Sequence, residues 1–202
     1  DLGQTILLAG TWGAMFFMAG MPWLWIAVLG GIGAVGLMGA YFALPHVAGR
    51  IDRFLTGEGD TFQVDMGREA IQRGGWFGQG PGEGTVKRVL PDSHTDFIFA
   101  VFGEEFGFLG NLFLLGLYVF IIWRGLWLAS KGADTFARLL GGSLSLTFFL
   151  YLLVNTGMVS GVLPVVGVPL PLVSYGGTSM VTLMAGFGII MSIATDKRML
   201  LK

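Results

Sequence analysis

The fold of this chain is decided by residues 97–128, which read FIFAVFGEEFGFLGNLFLLGLYVFIIWRGLWL. Two adjacent glutamates and one arginine are the only charged residues in this run. A helix that crosses a bilayer needs about 20 mostly apolar residues, and this run is longer. It therefore predicts a membrane-spanning helix that tilts or projects beyond the bilayer.

The composition of the whole chain agrees with a membrane protein. Of its 202 residues, 53% are hydrophobic and 12% are charged, whereas ordinary soluble domains carry about 25% charged residues. The net charge of −1 removes electrostatic attraction as a reason to expect a nucleic-acid partner, because phosphate binding needs a clustered basic face. Cysteine is absent and the two histidines are too few for a histidine-built metal cluster.

The pattern of apolar segments predicts an all-α integral membrane protein with about five transmembrane helices and one long extracytoplasmic loop. We expect a single membrane domain over residues 1–202, with a helical hairpin at 1–44, the loop at 45–95 and three further spans at 96–202. The basic residues opposite the loop are concentrated in short connections, which places the loop outside the cytoplasm. The five apolar segments are 2–21, 23–44, 97–128, 139–162 and 178–194.

The strongest candidate for chemistry is LPDSHTDFIF at 90–99, where the polar loop meets the long apolar run. Asp96 has two interpretations here. An acid in a first helical turn is stabilised by free backbone amides and by the helix dipole. A carboxylate shielded from water acts instead as a general base, because its pKa rises toward neutrality. Upstream, Lys87 and Arg88 either bind an anion or are solvated loop residues, and His94 is either a loop histidine or a ligand-binding residue.

Three further stretches raise functional questions. Glu104 and Glu105 are acids within an apolar run, and such acids are either functional or paired with another element. The glycine-rich stretch 74–84 lacks the spacing of a nucleotide-binding loop and is predicted to be a folded re-entrant segment or a surface lid. The proline-rich stretch 163–178 is predicted to fold back against the bundle. Within it, Ser174 lacks the surroundings of a hydrolase nucleophile.

Four motifs together resemble the SEDS family of bacterial cell-wall polymerases, which includes RodA and FtsW. The resemblance covers the whole chain, corresponds to the C-terminal half of a ten-helix bundle, and leans toward RodA. The motifs are DLGQT at 1–5, LPDSHTDFIFA at 90–100, GEEFG at 103–107 and PLPLVSYGG at 169–177.

The resemblance implies a peptidoglycan glycosyltransferase that polymerises lipid II for bacterial cell-wall synthesis, cell shape and division. Its active site would lie on the outer face of the bacterial cytoplasmic membrane. Asp96 matches the essential aspartate of the family and would deprotonate the sugar hydroxyl of the acceptor. The candidates for substrate binding are Lys87, Arg88, His94 and Ser174. A divalent cation, Mg²⁺ or Mn²⁺, is an alternative counter-charge for the departing diphosphate.

The partners implied are lipid II, membrane lipid and a class B penicillin-binding protein that supplies the transpeptidase. We expect the chain by itself to be inactive, because a general base needs shielding that the remaining spans would supply. Two alternatives stay open at this point. One is a lipid II flippase or transporter, for which the intramembrane glutamates and the broken backbone before the last span would be the evidence. The other is a non-catalytic scaffold for the penicillin-binding protein.

Overall fold

The computed structural model describes residues 2–57 and 61–195, and this part of the chain folds into seven α-helices and one short 3-10 turn at Val86–Arg88. The all-α prediction is confirmed. The predicted loop at 45–95 is itself largely helical, since it contains the third and fourth helices. The helices are α1 (Leu2–Met18), α2 (Trp23–Ala43), α3 (Pro45–Thr56), α4 (Phe62–Gly74), α5 (Ile98–Ser130), α6 (Thr135–Val159) and α7 (Gly177–Thr195).

The five apolar segments of the sequence correspond to α1, α2, α5, α6 and α7. The last four of these are long and apolar enough to cross a membrane. As described, α1 has 17 residues, which is the short end of the range of about 17–25 residues seen in spanning helices. The chain is therefore a multi-pass membrane protein.

The core of the bundle is built around α5. This helix packs against α4, α6 and α7, while α1 packs on α6. The most deeply buried apolar side chains include Phe97, Met158 and Leu170, which come from the start of α5, the end of α6 and the segment before α7. The core therefore extends to the point where the polar loop enters the bundle, directly beside Asp96.

The long helix α5 is interrupted at Gly107, which has φ 71° and ψ −170°. Only glycine adopts this region readily, because it has no Cβ. In a continuous helix the amides of Phe108 and Leu109 would donate to carbonyls four residues earlier. They donate instead to the carbonyls of Gly75 and Trp76, at 2.8 and 3.1 Å. The part of α5 beyond the break, 108–130, has the length of one bilayer crossing.

The carbonyls released by this break are satisfied by the same glycine-rich segment. Glu104 and Glu105 accept hydrogen bonds from the amides of Gln79 and Gly80, at 2.9 and 3.0 Å. A Cβ on Gly78 would lie 2.1 Å from the carbonyl oxygen of Glu105, so only glycine permits this approach. The segment predicted to be a re-entrant segment or a surface lid thus bonds to both sides of the break in α5, and it connects the start of that helix to the end of α4.

Candidate functional site

The turn that carries Asp96 ends just before α5. Asp92 has φ 53°, a left-handed conformation that aspartate tolerates better than most residues. Its carbonyl accepts hydrogen bonds from the amides of Thr95 and Phe97, at 3.0 and 3.1 Å. Phe97 is the N-cap residue of α5, and the first turn of that helix contains no acidic residue. The interpretation of Asp96 as a first-turn acid is therefore wrong, since its side chain precedes the helix.

The carboxylate of Asp96 is half-buried and, among the described residues, has no hydrogen-bond partner. Burial raises the pKa of Asp96 above the ordinary aspartate value, and the negative charge of Asp92 raises it further. Gly167 lies beside this carboxylate, because a Cβ built on it would be 3.6 Å from Oδ2. A partly shielded carboxylate with unoccupied oxygens and a raised pKa has the properties of a general base.

Asn155 of α6 connects the Asp96 turn to the segment before α7. Its side-chain Nδ2 donates to the carbonyl of Asp96 at 2.7 Å and to that of Val168 at 2.7 Å. The residue is completely buried, with an exposed fraction of 0%, and its Oδ1 has no partner among the described residues. Sequence reasoning missed this residue. A lone amide side chain in an apolar span was the available signal, because such groups usually bond across helices.

A second connection runs through Ser174. Its hydroxyl donates to the carbonyl of Thr95 at 2.6 Å and accepts from the amide of Leu170 at 2.7 Å. The next residue, Tyr175, donates from its amide to the carbonyl of His94 at 2.9 Å. Two successive residues of the proline-rich segment therefore bind two successive carbonyls of the Asp96 turn.

The buried Tyr118 of α5 also binds the proline-rich segment, because its hydroxyl donates a hydrogen bond to the carbonyl of Pro171. This contact was also not anticipated from sequence. Side chains from α5, α6 and the proline-rich segment itself thus fix the backbone around Asp96.

The predicted substrate-binding residues have different surroundings. Ser174 is buried and its hydroxyl both donates and accepts, so the structure gives it a bridging position beside Asp96. His94 is exposed and lies on the same turn.

Lys87 forms an ion pair with Glu105 and also donates to the carbonyl of Gly82 at 2.9 Å. In the described structure, neither Lys87 nor Arg88 is ion-paired with Asp96.

Arg88 lies in the 3-10 turn, and the side chain of Glu104 fixes the start of that turn. The Glu104 side chain is completely buried and accepts hydrogen bonds from the amides of Thr85, Val86 and Lys87, at 2.8, 2.9 and 3.3 Å. It therefore caps the 3-10 turn at Val86–Arg88. Arg88 is exposed at the end of this turn, and its guanidinium has no partner among the described residues. Of the two predicted cations, Arg88 is the one available to a ligand.

The described part of the chain contains no cluster of side chains that could hold a metal ion without a ligand's help. No group of three or more histidine, cysteine, aspartate or glutamate side chains is arranged to hold one among residues 2–57 and 61–195. Mg²⁺ is usually bound by one or two carboxylates together with substrate phosphates, so a Mg²⁺ or Mn²⁺ ion held by Asp96 and a diphosphate stays a prediction, and we assign no step of the reaction to it.

The charge of Asp92 provides a test of how the Asp96 pKa is set. We expect Asp92→Asn to move the acid limb of the pH–rate profile of the full-length protein to lower pH. A general base works when deprotonated, and removing the neighbouring negative charge lowers the pKa of Asp96. Asparagine tolerates the left-handed backbone at this position, and the hydrogen bonds that Asp92 accepts are made by its backbone carbonyl.

The control for this experiment is Asp134→Asn, at the N-cap of α6, where asparagine caps as well as aspartate. This substitution should leave the profile unmoved. An unchanged acid limb in Asp92→Asn would show that Asp92 does not influence the base.

The fold and site define a multi-pass helical membrane protein with a half-buried, unpaired carboxylate where the polar loop enters the bundle. A model of the cell cycle protein family FTSW_RODA_SPOVE matches residues 1–199. The chain belongs to this family, and the resemblance to RodA and FtsW is confirmed.

Three curated relatives illustrate the similarity. The chain is 46% identical to "Peptidoglycan glycosyltransferase MrdB" of Escherichia coli K12, with 100% of this chain and 57% of that protein covered. It is 41% identical to "Probable peptidoglycan glycosyltransferase FtsW" of Caulobacter vibrioides, covering 96% and 50%. It is 32% identical to "Stage V sporulation protein E" of Bacillus subtilis, covering 98% and 56%. The chain thus spans about half the length of these relatives.

A solved structure has the same fold. One of its chains superposes with a TM-score of 0.80 at 28% identity, over 98% of this chain and 56% of that one. The structure is described as "Structural coordination of polymerization and crosslinking by a peptidoglycan synthase complex".

Proposed function

We propose that the full-length protein is a peptidoglycan glycosyltransferase that polymerises lipid II into glycan strands. The observation that carries this proposal is the Asp96 carboxylate, half-buried and unpaired among the described residues, with a pKa raised by burial. The relatives named as peptidoglycan glycosyltransferases support the same activity. Since the chain covers about half of their length, the activity is proposed for the complete protein.

The chemistry follows from what a carboxylate does beside a hydroxyl group. Asp96 takes the proton from the sugar hydroxyl of the acceptor, and the oxygen forms a bond with the anomeric carbon of the donor. The bond from that carbon to the diphosphate oxygen breaks, and undecaprenyl diphosphate leaves with the bonding electrons. Arg88 is the cation proposed to stabilise this leaving group, because it is exposed and unpaired in the described structure.

We also propose the orientation and the partner. We place the Asp96 turn, α3 and α4 at the outer face of the membrane, and the concentration of basic residues in the short connections of the opposite side supports this. The similar solved structure belongs to a complex of polymerisation and crosslinking. This supports a class B penicillin-binding protein as the crosslinking partner of the full-length protein.

The flippase alternative loses one of the two features that would support it, the intramembrane glutamates. Glu104 binds backbone amides and Glu105 pairs with Lys87, so neither carboxylate is free to carry a substrate or proton along a transport path.

The deciding experiment is the incubation of labelled lipid II with full-length protein in proteoliposomes. We expect glycan strands, whereas a flippase or a scaffold would form none.

The role of Arg88 leads to a graded prediction. We expect Arg88→Gln to slow lipid II polymerisation by more than about tenfold, because a charge contact near a protein surface is worth several kcal/mol before desolvation. Arg88→Lys should retain much of the rate, since it keeps the positive charge. A wild-type rate and unchanged substrate dependence in Arg88→Gln would remove this residue from the site.

A further inference from the structure

A second cationic feature lies outside the Asp96 turn. It is a cavity of about 400 Å³ between α3, α4 and the segment that follows α6. Arg50 and Arg53 line it from α3, and Arg68 lines it from α4. The apolar part of the wall consists of Phe54, Val64, Leu163, Pro164 and Val165.

The charge of this cavity is strongly unbalanced among the described residues that line it. Asp65 is the one acid there, and its carboxylate already accepts a hydrogen bond from the hydroxyl of Thr61 at 2.6 Å. None of the three arginines forms an ion pair in the described structure, whereas the nearby Arg73 is paired with Glu69. Guanidinium groups grouped without acidic partners favour a bound anion, and their planar array of donors matches phosphate oxygens.

Backbone carbonyls hold two of these guanidinium groups in place. Arg68 donates from Nε to the carbonyl of Ser160 and from Nη2 to that of Gly161, both at 3.1 Å. Arg53 donates from Nε to the carbonyl of Gly49 at 2.8 Å. Each guanidinium group keeps further N–H groups for a ligand. These hydrogen bonds already order the two side chains, so less conformational entropy is lost when a ligand binds, which favours binding.

The location of the cavity points to a lipid ligand. The spanning helix α2 ends at Ala43 and α3 begins at Pro45, so the arginines of α3 lie close to the membrane surface. The cavity is also near the proposed catalytic turn. Gly67 approaches the ring of Phe97, since a Cβ there would lie 3.1 Å from it, and Val165 is two residues from Gly167.

We propose that this cavity binds a diphosphate headgroup, and that the headgroup belongs to one of the two lipid-linked substrates that polymerisation requires. The assignment rests on the proposed function. Joining two lipid-linked sugars brings two diphosphates to one catalytic carboxylate, and Arg88 accounts for one of them. The arginine cavity supplies the second cationic site, with apolar walls suited to the adjoining part of the lipid.

The test measures binding of undecaprenyl diphosphate to the full-length protein in nanodiscs of zwitterionic lipid, with Arg88→Gln present in every protein so that the cavity is the site measured. We expect Arg50→Gln combined with Arg53→Gln to weaken binding by at least about tenfold, because charged hydrogen bonds are lost. The corresponding double lysine variant should bind more tightly than the glutamine variant. The control is Arg73→Gln, outside the cavity, which should leave binding equal to that of the protein with Arg88→Gln alone.

Competitors identify the source of the phosphate. Undecaprenol tests the lipid tail without phosphate, and phosphatidylglycerol tests an ordinary anionic lipid. We expect neither to displace the ligand as well as unlabelled undecaprenyl diphosphate does. Equal displacement by phosphatidylglycerol would overturn the assignment to a lipid-linked substrate. Undiminished affinity after Arg50→Gln and Arg53→Gln are added to Arg88→Gln would overturn the cavity as a binding site.

The two proposals can fail separately. Arginine-dependent binding in a protein that makes no glycan would refute the polymerase and leave the binding site standing. Glycan synthesis with unchanged diphosphate binding in the double glutamine variant would refute the site and leave the polymerase standing.

Discussion

Replacing Asp96 with asparagine is expected to abolish lipid II polymerisation by the full-length protein. General bases contribute roughly 10²–10⁴-fold to a rate, and an amide of the same shape cannot accept the proton of the sugar hydroxyl. The thermal unfolding temperature should stay close to that of the wild type. In the described structure the Asp96 carboxylate has no hydrogen bond to lose, and the turn is held through backbone carbonyls.

The measurements are the rate of glycan formation and thermal unfolding, each compared with Asp134→Asn at the other end of the bundle. Asp134 caps α6 by accepting from the amide of Ala137 at 2.7 Å, so its exchange for asparagine should preserve both rate and stability. If Asp96→Asn keeps more than about a tenth of the wild-type rate, less than about 1.4 kcal/mol of the barrier depends on the carboxylate. The assignment of Asp96 as the base would then be wrong.

Asn155→Leu is expected to have the second largest effect, and it should reduce both stability and activity. The substitution leaves the carbonyls of Asp96 and Val168 buried without their donor. An unsatisfied buried polar group costs about 1–3 kcal/mol. Leucine has a similar volume and would not relieve this cost. We expect a lower unfolding temperature and polymerisation slowed by more than about tenfold.

A positioning role for Asn155 has a specific signature in the remaining activity. If the turn shifts, the burial of Asp96 changes, and the acid limb of the pH–rate profile should move with it. A purely structural loss would scale the rate equally at every pH. The matched control is Thr156→Val, because the Thr156 hydroxyl bonds to the carbonyl of Leu152 within its own helix. A rate and an unfolding temperature like those of the wild type in Asn155→Leu would show that the hydrogen bonds of the Asn155 side chain are dispensable.

Much of the architecture could be predicted from the order of residues alone. The long apolar runs predict the membrane helices, because a spanning segment must be apolar along its length and satisfies its backbone groups internally. The proline- and glycine-rich stretch before α7 was correctly expected to be non-helical and folded against the bundle. The motif around Asp96 led to the family, which the match over residues 1–199 then established.

The arrangement of the site depended on contacts between residues far apart in the sequence. A pattern of apolar residues cannot show that α5 breaks at Gly107, because the break is stable only when Gly75–Gly80 supply the missing donors and acceptors. The same holds for Glu104, which looks like an intramembrane acid in the sequence and serves as a cap for the 3-10 turn in the structure.

The sequence by itself thus determined which segments enter the membrane and which carboxylate stands at its edge, since both depend on local composition. The tertiary structure alone decided how that carboxylate is held. Buried backbone groups must find hydrogen-bond partners wherever the fold brings them. Asn155 supplies them from 59 positions beyond Asp96 and Ser174 from 79 positions beyond Thr95.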